Sequence, residues 1–584
     1  MNDNSKPAAP IMHETPVRSP EQDKFWGSDA VAQTLRALDV PYIALNPGAS
    51  YRGLHDSIVN FLGNRAPQMV LCLHDETAVS LAHGYFKASG RMIASALHSN
   101  VGLMHATMQI FNAWCDRASI LIVGATGPWD AAKRRPWIEW IHTASDQGAL
   151  VRNFTKWDNQ PGSVSAAVEA LLRAAQITQT APRGPVYVNL DAGIQEQRID
   201  ALPAVPAVER YAAPAPAVPA ADLVAAAAKL LSGASNPVIL AGRCSRSVEG
   251  WKARVALAEK LNARVFTHMK LGAAFPTDHP LHAAPPATRL LPEAGKLMAG
   301  ADVILSLDWL DLAGTFKQVF GAKPASAKVI QVSCDAHSHR GWSMDYQALP
   351  PADLYLMCEP DGAVPLLLGA VKARPAGTAA APHQPAAAAS GALNLASLAH
   401  ALRGAISGVD VCFTRFPLGW SGAYMHFRHP LDYIGYDGGG GLGSGLGITV
   451  GAALALKDSG RIPIGLLGDG DYLQGNTAVW TAAHYRIPCL VIVCNNRSFF
   501  NDERHQGRVA TARGRPEENA WIGQRLSEPD IDIAGMARAQ GATAIGPVTS
   551  ITDMRDALKR GIETVRSGGV CVIDARVEPG YDAE

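Results

Sequence analysis

The sequence predicts an α/β protein of three doubly wound parallel-sheet domains. The chain has 584 residues, which is too long for one hydrophobic core. Short apolar runs of strand length alternate with longer amphipathic stretches, a pattern typical of strands and helices in parallel sheets. Two stretches rich in Pro and Ala, near 200–221 and 373–390, hold few large apolar residues and are predicted to be linkers.

These linkers divide the chain into an N-terminal arm at 1–21 and three domains at 22–199, 222–372 and 391–584. The arm is polar and rich in Pro and lacks an apolar centre. We therefore expect it to be a flexible segment and not a secretory signal.

Each domain has its own set of predicted strands. In the first domain they are YIAL, MVLCL, MIASAL, SILIVG and GPVYVNL, with a helix over 77–88. The middle domain has PVILAG, ARVFTH, DVILSL and KVIQVS, and the third has DVCFT, PIGLLG, PCLVIVC and VCVIDA. Ligands of such sheets bind at the carboxyl ends of the strands, so the residues at those ends are the candidates for chemistry.

The composition excludes several classes of protein. Lys plus Arg and Asp plus Glu both number 52, so the chain lacks the basic surface of a nucleic-acid binder. Its apolar runs are far shorter than the roughly 20 residues that span a bilayer. The nine cysteines include no C-x-x-C pair, which favours a reducing cytoplasm over a disulfide framework or a zinc site. We therefore expect a cytoplasmic protein with no nucleic-acid or membrane partner.

Two polar motifs lie at the ends of neighbouring strands of the third domain. The strand PIGLLG runs into Asp469-Gly470-Asp471, a helix to about residue 485 is predicted next, and Asn495-Asn496 follows PCLVIVC. Asp469 and Asn496 are 27 residues apart, about one βαβ unit, so both side chains leave the carboxyl ends of parallel strands. Carboxylate and amide oxygens suit Mg²⁺, which also keeps phosphate oxygens as ligands. The two motifs predict a magnesium-diphosphate anchor.

With these motifs the sequence resembles the thiamine-diphosphate (ThDP) enzymes of the acetolactate synthase, pyruvate decarboxylase and benzoylformate decarboxylase group. The resemblance runs from about residue 22 to 580 and implies pyrimidine-binding, central and diphosphate-binding domains, in that order. It implies that Asp469, Asn496 and the backbone carbonyl of Ser498 bind Mg²⁺, and that Leu442 holds the cofactor bent. The implied cofactor-binding residues are Gly441, Leu442, Gly468, Asp469, Gly470, Asp471, Asn496 and Ser498.

The acid that activates the cofactor departs from the family pattern. In the family a glutamate lies nine residues before the Gly of a Gly-Tyr pair and hydrogen-bonds the aminopyrimidine. Here Asp75 has that offset from Gly84, and Glu76 is one residue late. One residue turns a helical side chain by about 100°, so the two are not equivalent. Asp75 and Glu76 both remain candidates, and Asp75 acting only as the N-cap of the next helix is the alternative.

His98 lies at the position of a histidine in the benzoylformate decarboxylase pattern, followed by Asn112-Ala113-Trp114. The resemblance implies that His98 transfers protons during catalysis; the alternative is a histidine that only satisfies a strand-end carbonyl. His105 is a second candidate. In the loop at 46–50, Ala49 stands where the family has a substrate-binding serine, and the adjacent Ser50 is expected to point elsewhere.

Two further segments are candidate parts of the site. Asp308 and Asp311 lie where the family's central domain reaches the substrate, and the polar stretch 501–521 is predicted to be a long loop that covers the site. No signal in the sequence demands FAD.

The sequence therefore predicts a ThDP- and Mg²⁺-dependent lyase that acts on the C–C bond next to a carbonyl, as a 2-oxo acid decarboxylase or a ketone-cleaving enzyme with accompanying carboligation. An acetolactate-synthase-like carboligase and a ThDP-binding homologue without lyase activity are the alternatives. The resemblance implies a homodimer or homotetramer, with each site shared between two subunits.

Overall fold

A computed structural model describes residues 14–17, 24–136, 138–335, 349–375 and 392–580. Three parallel sheets are present, and the predicted fold class is confirmed. Every predicted strand is present with its ends displaced by at most two residues. The apolar runs identified these strands because they are buried on both faces of their sheets.

The first sheet has six strands, in the spatial order Gln68–Leu71, Tyr42–Leu45, Ala94–Leu97, Leu121–Thr126, Val186–Asp191 and Asp158–Asn159. Its helices are Gly27–Ala37, Arg52–Asp56, Asp75–Ser89, Ser99–Cys115, Val164–Gln179 and Ala192–Gln195. Phe25–Trp26 pairs antiparallel with Arg198–Ile199, so the two ends of this unit meet.

The central sheet has five strands, in the order Arg264–Thr267, Pro237–Ala241, Val303–Leu307, Lys328–Val332 and Leu354–Leu356. Its helices are Ala221–Gly233, Val248–Leu261, Pro292–Ala299, Leu312–Phe320 and Pro360–Ala370.

The third sheet also has five strands, in the order Val411–Arg415, Ile462–Gly468, Cys489–Asn495, Val570–Arg576 and Thr543–Val548. Its helices are Leu395–Ala405, Ser444–Leu456, Asp469–Gly475, Ala478–His484, Phe500–Ala512, Ile533–Ala539 and Ile551–Arg566.

Two predictions about the third domain were wrong in detail. The single helix expected after Gly468 is two helices, Asp469–Gly475 and Ala478–His484. The polar stretch expected to be a loop is helical over Phe500–Ala512.

The predicted arm and linkers are only partly described. Within the arm, Glu14 accepts a hydrogen bond of 2.9 Å from the Tyr485 hydroxyl, so this point of the arm is packed against the third domain. The first linker has only one short helical turn, Val208–Tyr211. The second linker lies outside the described residues from 376 onward. In the described part of the chain, no helix combines the length and apolarity needed to cross a membrane.

The first and third domains meet through two helices that approach very closely. Helix Asp75–Ser89 packs along helix Ser444–Leu456, and a Cβ atom at Gly84 would collide with the backbone carbonyl of Ile448. A Cβ at Gly451 would likewise collide with the carbonyl of Leu81. The glycines therefore let two backbones touch, which no larger residue permits.

Gly84→Ala tests this contact. The added methyl group meets a backbone carbonyl that cannot rotate away, so we expect the free energy of unfolding to fall by about 1 to 3 kcal/mol or more. Gly404→Ala is the matched control, because a Cβ at this helical glycine meets nothing within 4 Å; it should raise stability by about 0.5 to 1 kcal/mol. Urea unfolding measures the free energy of unfolding of both variants. Equal changes in the two variants would contradict the close contact at Gly84.

Candidate active site

A cavity opens at the carboxyl ends of the third sheet. The predicted cofactor residues Leu442, Gly468, Asp469, Gly470, Asp471, Asn496 and Ser498 line it together, and Gly441 does not. Phe499, Asn501 and Asp502 from the start of helix Phe500–Ala512 also line it. The helix that replaces the expected loop therefore forms one wall of the cavity.

Asp469 and Asn496 converge on one backbone N–H group. Ser498 N donates to Asp469 Oδ2 at 3.2 Å and to Asn496 Oδ1 at 3.1 Å. Asp469 is 3% exposed, and burial raises its pKa to about 6, although hydrogen bonds from backbone N–H groups such as that of Gly470 act in the opposite direction.

Asp469 lacks an ion pair with Lys, Arg or His within the described ranges. Its carboxylate is buried without a cation, which favours binding of an external one. The donors are hard oxygens, so these residues fit Mg²⁺. Across the same ranges, no cluster of three or more His, Cys, Asp or Glu residues is arranged to hold a metal.

A buried charge network supports the glycine-rich segment that carries Leu442. Asp471 Oδ1 accepts a hydrogen bond of 2.7 Å from Gly443 N, and Asp471 Oδ2 lies 3.4 Å from Arg415 Nε. Arg415 also pairs with Asp437 at 2.7 Å. Burial alone would lower the pKa of Arg415, but the two carboxylates outweigh it and raise that pKa. Sequence reasoning missed Arg415 and Asp437, whose only signal was their position beside a strand end and a glycine run.

The two candidate acids have different surroundings. His74 is the N-cap of helix Asp75–Ser89, since its ring accepts the N–H of Glu76, so the alternative that Asp75 is the N-cap is wrong. Asp75 is 4% exposed; its Oδ1 has no hydrogen-bond partner among the residues that the structure describes, and its Oδ2 lies 3.4 Å from His105 Nδ1. The Glu76 side chain is 29% exposed. Burial raises the pKa of Glu76, and His74 and His105 oppose that change.

Ser50 points toward His98, contrary to the prediction that it points elsewhere. Its Oγ lies 2.9 Å from His98 Nδ1, because the short helical turn Ala49–Tyr51 rotates Ser50 inward and leaves Ala49 exposed. The His98 ring also meets the ring of His142 edge to face, with centroids 4.7 Å apart. Burial and His142 lower the pKa of His98, and Asp75 acts in the opposite direction.

The two aspartates of the central domain have structural partners instead of facing the cavity. Asp311 is the N-cap of helix Leu312–Phe320 and accepts a hydrogen bond from Gly314 N at 2.9 Å. Asp308 is buried and bonds Arg117 of the first domain at 2.8 Å. Neither residue lines the cavity, so their predicted contact with substrate gains no support.

Three family models match the chain in sequence order. They are the N-terminal thiamine pyrophosphate binding domain at residues 25–151, the central domain of thiamine pyrophosphate enzymes at 224–350, and their C-terminal thiamine pyrophosphate binding domain at 417–575.

The chain is 28% identical over 530 residues to benzoylformate decarboxylase of Pseudomonas aeruginosa, with 87% of this chain and 92% of the relative covered. It is 24% identical over 556 residues to sulfoacetaldehyde acetyltransferase of Alcaligenes xylosoxydans xylosoxydans, covering 87% and 86%. Among solved structures, the thiamine diphosphate-dependent 4-hydroxybenzoylformate decarboxylase of Rhodococcus jostii RHA1 superposes with a TM-score of 0.78 at 22% identity, covering 96% of this chain and 100% of that one.

The surroundings of His98 predict opposite effects of two substitutions on its pKa. His142→Phe removes a neighbouring imidazole that lowers the pKa of His98, so that pKa should rise. Asp75→Asn removes a negative charge that raises it, so the pKa should fall. NMR titration of ¹³C-labelled imidazoles measures both, with the exposed His400 as internal reference. Shifts in the same direction would contradict this arrangement.

Proposed function

Because the chain belongs to the thiamine pyrophosphate enzyme family, we propose that it is a ThDP- and Mg²⁺-dependent lyase that decarboxylates a 2-oxo acid, with carboligation as a side reaction. The observation that carries this proposal is the pairing of Ser50 with His98 at the same sheet edge as Asp75. This edge of the first sheet therefore has a buried carboxylate, that of Asp75, and an oriented imidazole, that of His98. Proton transfer at a reacting carbonyl requires groups of these two kinds. The similarity to benzoylformate decarboxylase along most of both chains supports the same reaction class.

The third-domain cavity is proposed to hold the cofactor. Asp469, Asn496 and the carbonyl of Ser498 bind Mg²⁺, and the glycines of the motif allow the diphosphate to approach the backbone. Leu442 lines the same cavity and would contact the bound cofactor. When bound, ThDP supplies a carbon nucleophile and an electron sink for the C–C bond that breaks.

The residues of the first domain are proposed to move protons. Asp75, whose carboxylate is buried at the start of its helix, is proposed to bond the aminopyrimidine. The Ser50 hydroxyl engages Nδ1 of His98 and so leaves Nε2 as the atom that exchanges a proton with substrate. Burial and His142 keep the pKa of His98 low, so the ring is neutral and able to accept a proton near neutral pH.

We further propose a homodimer, a unit that a homotetramer would also contain. Asp75 and His98 do not line the cavity of their own chain, which third-domain residues line. Apolar side chains are exposed in both of the domains concerned. In the first domain, beside Asp75 and His98, Leu73, Met104 and Trp140 are 43%, 53% and 73% exposed. In the third domain, Trp521 and Ile522 are 45% and 61% exposed. In a homodimer these side chains would be covered by the partner subunit.

A cytoplasmic location is part of the same proposal. All nine cysteines are free thiols, and all except Cys244 are buried. Thiols persist in a reducing compartment.

Product analysis tests the reaction class. The protein is incubated with ThDP, Mg²⁺ and a panel of aryl and alkyl 2-oxo acids, and CO₂, aldehydes and acyloins are measured. From at least one acid we expect one CO₂ for each aldehyde released and two for each acyloin formed, and no product when either ThDP or Mg²⁺ is omitted. Acetolactate and CO₂ from pyruvate, without free aldehyde, would favour a carboligase, and bound ThDP without any product would favour a homologue that lacks lyase activity.

Asp469→Ala tests the anchor. We expect calorimetry to show no ThDP binding at ordinary Mg²⁺ concentrations, because the diphosphate loses its metal bridge. Asp502→Ala is the matched control, since Asp502 lines the same cavity without a proposed metal contact. Unchanged affinity in the Asp469 variant would show that the anchor is misassigned.

The activating acid is tested by exchange of the C2 proton of bound ThDP. Asp75→Ala should slow this exchange by orders of magnitude, whereas Glu76→Ala should keep it within roughly tenfold, a difference of about 1.4 kcal/mol in barrier. The reverse pattern would transfer the role to Glu76.

A further inference from the structure

The side chain of Asp75 is one methylene shorter than that of the glutamate that the family pattern has at this position. The orientation of the Asp75 carboxylate therefore has to be controlled more closely. Asp75 is the first residue of its helix and is 4% exposed. Within the described part of the chain, Oδ2 meets one polar side-chain atom, His105 Nδ1 at 3.4 Å, and Oδ1 has no hydrogen-bond partner. The orientation of this buried carboxylate therefore depends on the contact with His105 and on the packing around it.

Two neighbours restrict where this carboxylate can lie. Gly102 packs against it, and a Cβ there would collide with Oδ1 and lie 2.9 Å from Cγ. His105 is three residues later on the same helix, Ser99–Cys115, and therefore on the same face as Gly102. The glycine makes room for the carboxyl group and the histidine lies at its other oxygen.

The His105 ring is itself held in place. It stacks on the ring of His74, with centroids 5.1 Å apart and planes 25° apart. The His74 ring is fixed because it accepts the backbone N–H of Glu76 as the helix N-cap. His105 is thus ordered by a neighbour although its side chain is 53% exposed.

We propose that His105 is a positioning residue: its Nδ1–H donates to Oδ2 of Asp75 and, with Gly102 packed against Oδ1, fixes the orientation of the carboxylate that is proposed to bond the aminopyrimidine of the cofactor. The contact of 3.4 Å is long for a hydrogen bond, and such bonds commonly shorten when the ligand binds. This inference rests on the proposed ThDP-dependent function. It gives His105 the role of compensating for the shorter side chain of Asp75.

The first test uses the cofactor-free protein. The proposed bond requires the Nδ1–H tautomer of His105, which ¹⁵N spectra of ¹⁵N-histidine-labelled protein identify, with His105→Gln used to assign the signal. In Asp75→Ala, His105 should change to the Nε2–H form, whereas in Glu76→Ala it should keep Nδ1–H. An Nε2–H tautomer in the unaltered protein would overturn the proposal.

The second test uses the ThDP-Mg²⁺ complex and the exchange rate of the C2 proton. His105→Phe retains a ring that can stack on His74 but has no donor, so exchange should slow by about tenfold or more while ThDP affinity, measured by calorimetry, changes less than threefold. His105→Gln, which keeps a donor, should recover most of the rate. His400→Phe, a control at an exposed histidine to which the proposed function gives no role, should not slow exchange.

A double substitution separates positioning through Asp75 from any other role. If His105 acts through Asp75, His105→Phe should have no further effect on exchange in an Asp75→Ala background. An equal loss in both backgrounds, or unchanged exchange in His105→Phe, would overturn the inference while leaving the proposed function intact. Failure of the unaltered protein to bind ThDP would overturn both.

Discussion

The close packing of helix Asp75–Ser89 on helix Ser444–Leu456 is the constraint on which the remaining geometry depends. Each helix begins at a candidate site: Asp75 is the first residue of one, and the segment that carries Leu442 leads directly into the other. Backbone contact through Gly84 and Gly451 leaves little freedom for the two helices to slide or rotate. The position of the acid relative to the cavity segment of its own chain is therefore set by backbone atoms and not by flexible side chains.

The charged residues at the cavity form two groups, one whose charges are paired within the protein and one whose charge is not. Asp471 and Asp437 are paired with the charge of Arg415, and Asp471 holds the glycine-rich segment through the N–H of Gly443. Asp469 is buried with backbone donors, and no Lys, Arg or His of the described residues forms an ion pair with it. The ion pairs of Arg415 preorganise the cavity, whereas Asp469 would gain a cation only from a bound ligand. This division explains why one aspartate of the Gly-Asp-Gly-Asp motif serves structure and the other remains available for binding.

Much of the fold could be predicted because buried parallel strands appear as uninterrupted apolar runs. Among the strands that were missed, Thr543–Val548 lies at a sheet edge, is half exposed and contains Gly546 and Pro547, so its pattern is weak. Asp158–Asn159 and Leu354–Leu356 are also edge strands and are only two and three residues long. The motif residues that line the cavity were predictable from their place at strand ends. Ser50 was not, because a short helical turn rotates it by an amount that family alignment does not reveal. Arg415 with Asp437 and Asp75 with His105 depend on contacts between residues distant in the sequence, for which spacing gives no signal.

The buried ion pairs between domains have a consequence for how the protein comes apart. Arg117 of the first domain is 8% exposed and bonds both Asp308 and Asp335 of the central domain at 2.8 Å. Arg246 of the central domain donates to the carbonyl of Ile434 in the third. Separating the central domain from the other two would remove the partners of these charged groups. Each group left unpaired and incompletely hydrated would cost several kcal/mol of free energy. Heat should therefore melt the three domains in a single cooperative transition, and a protease that cuts a linker should not release the central domain as a separate folded fragment.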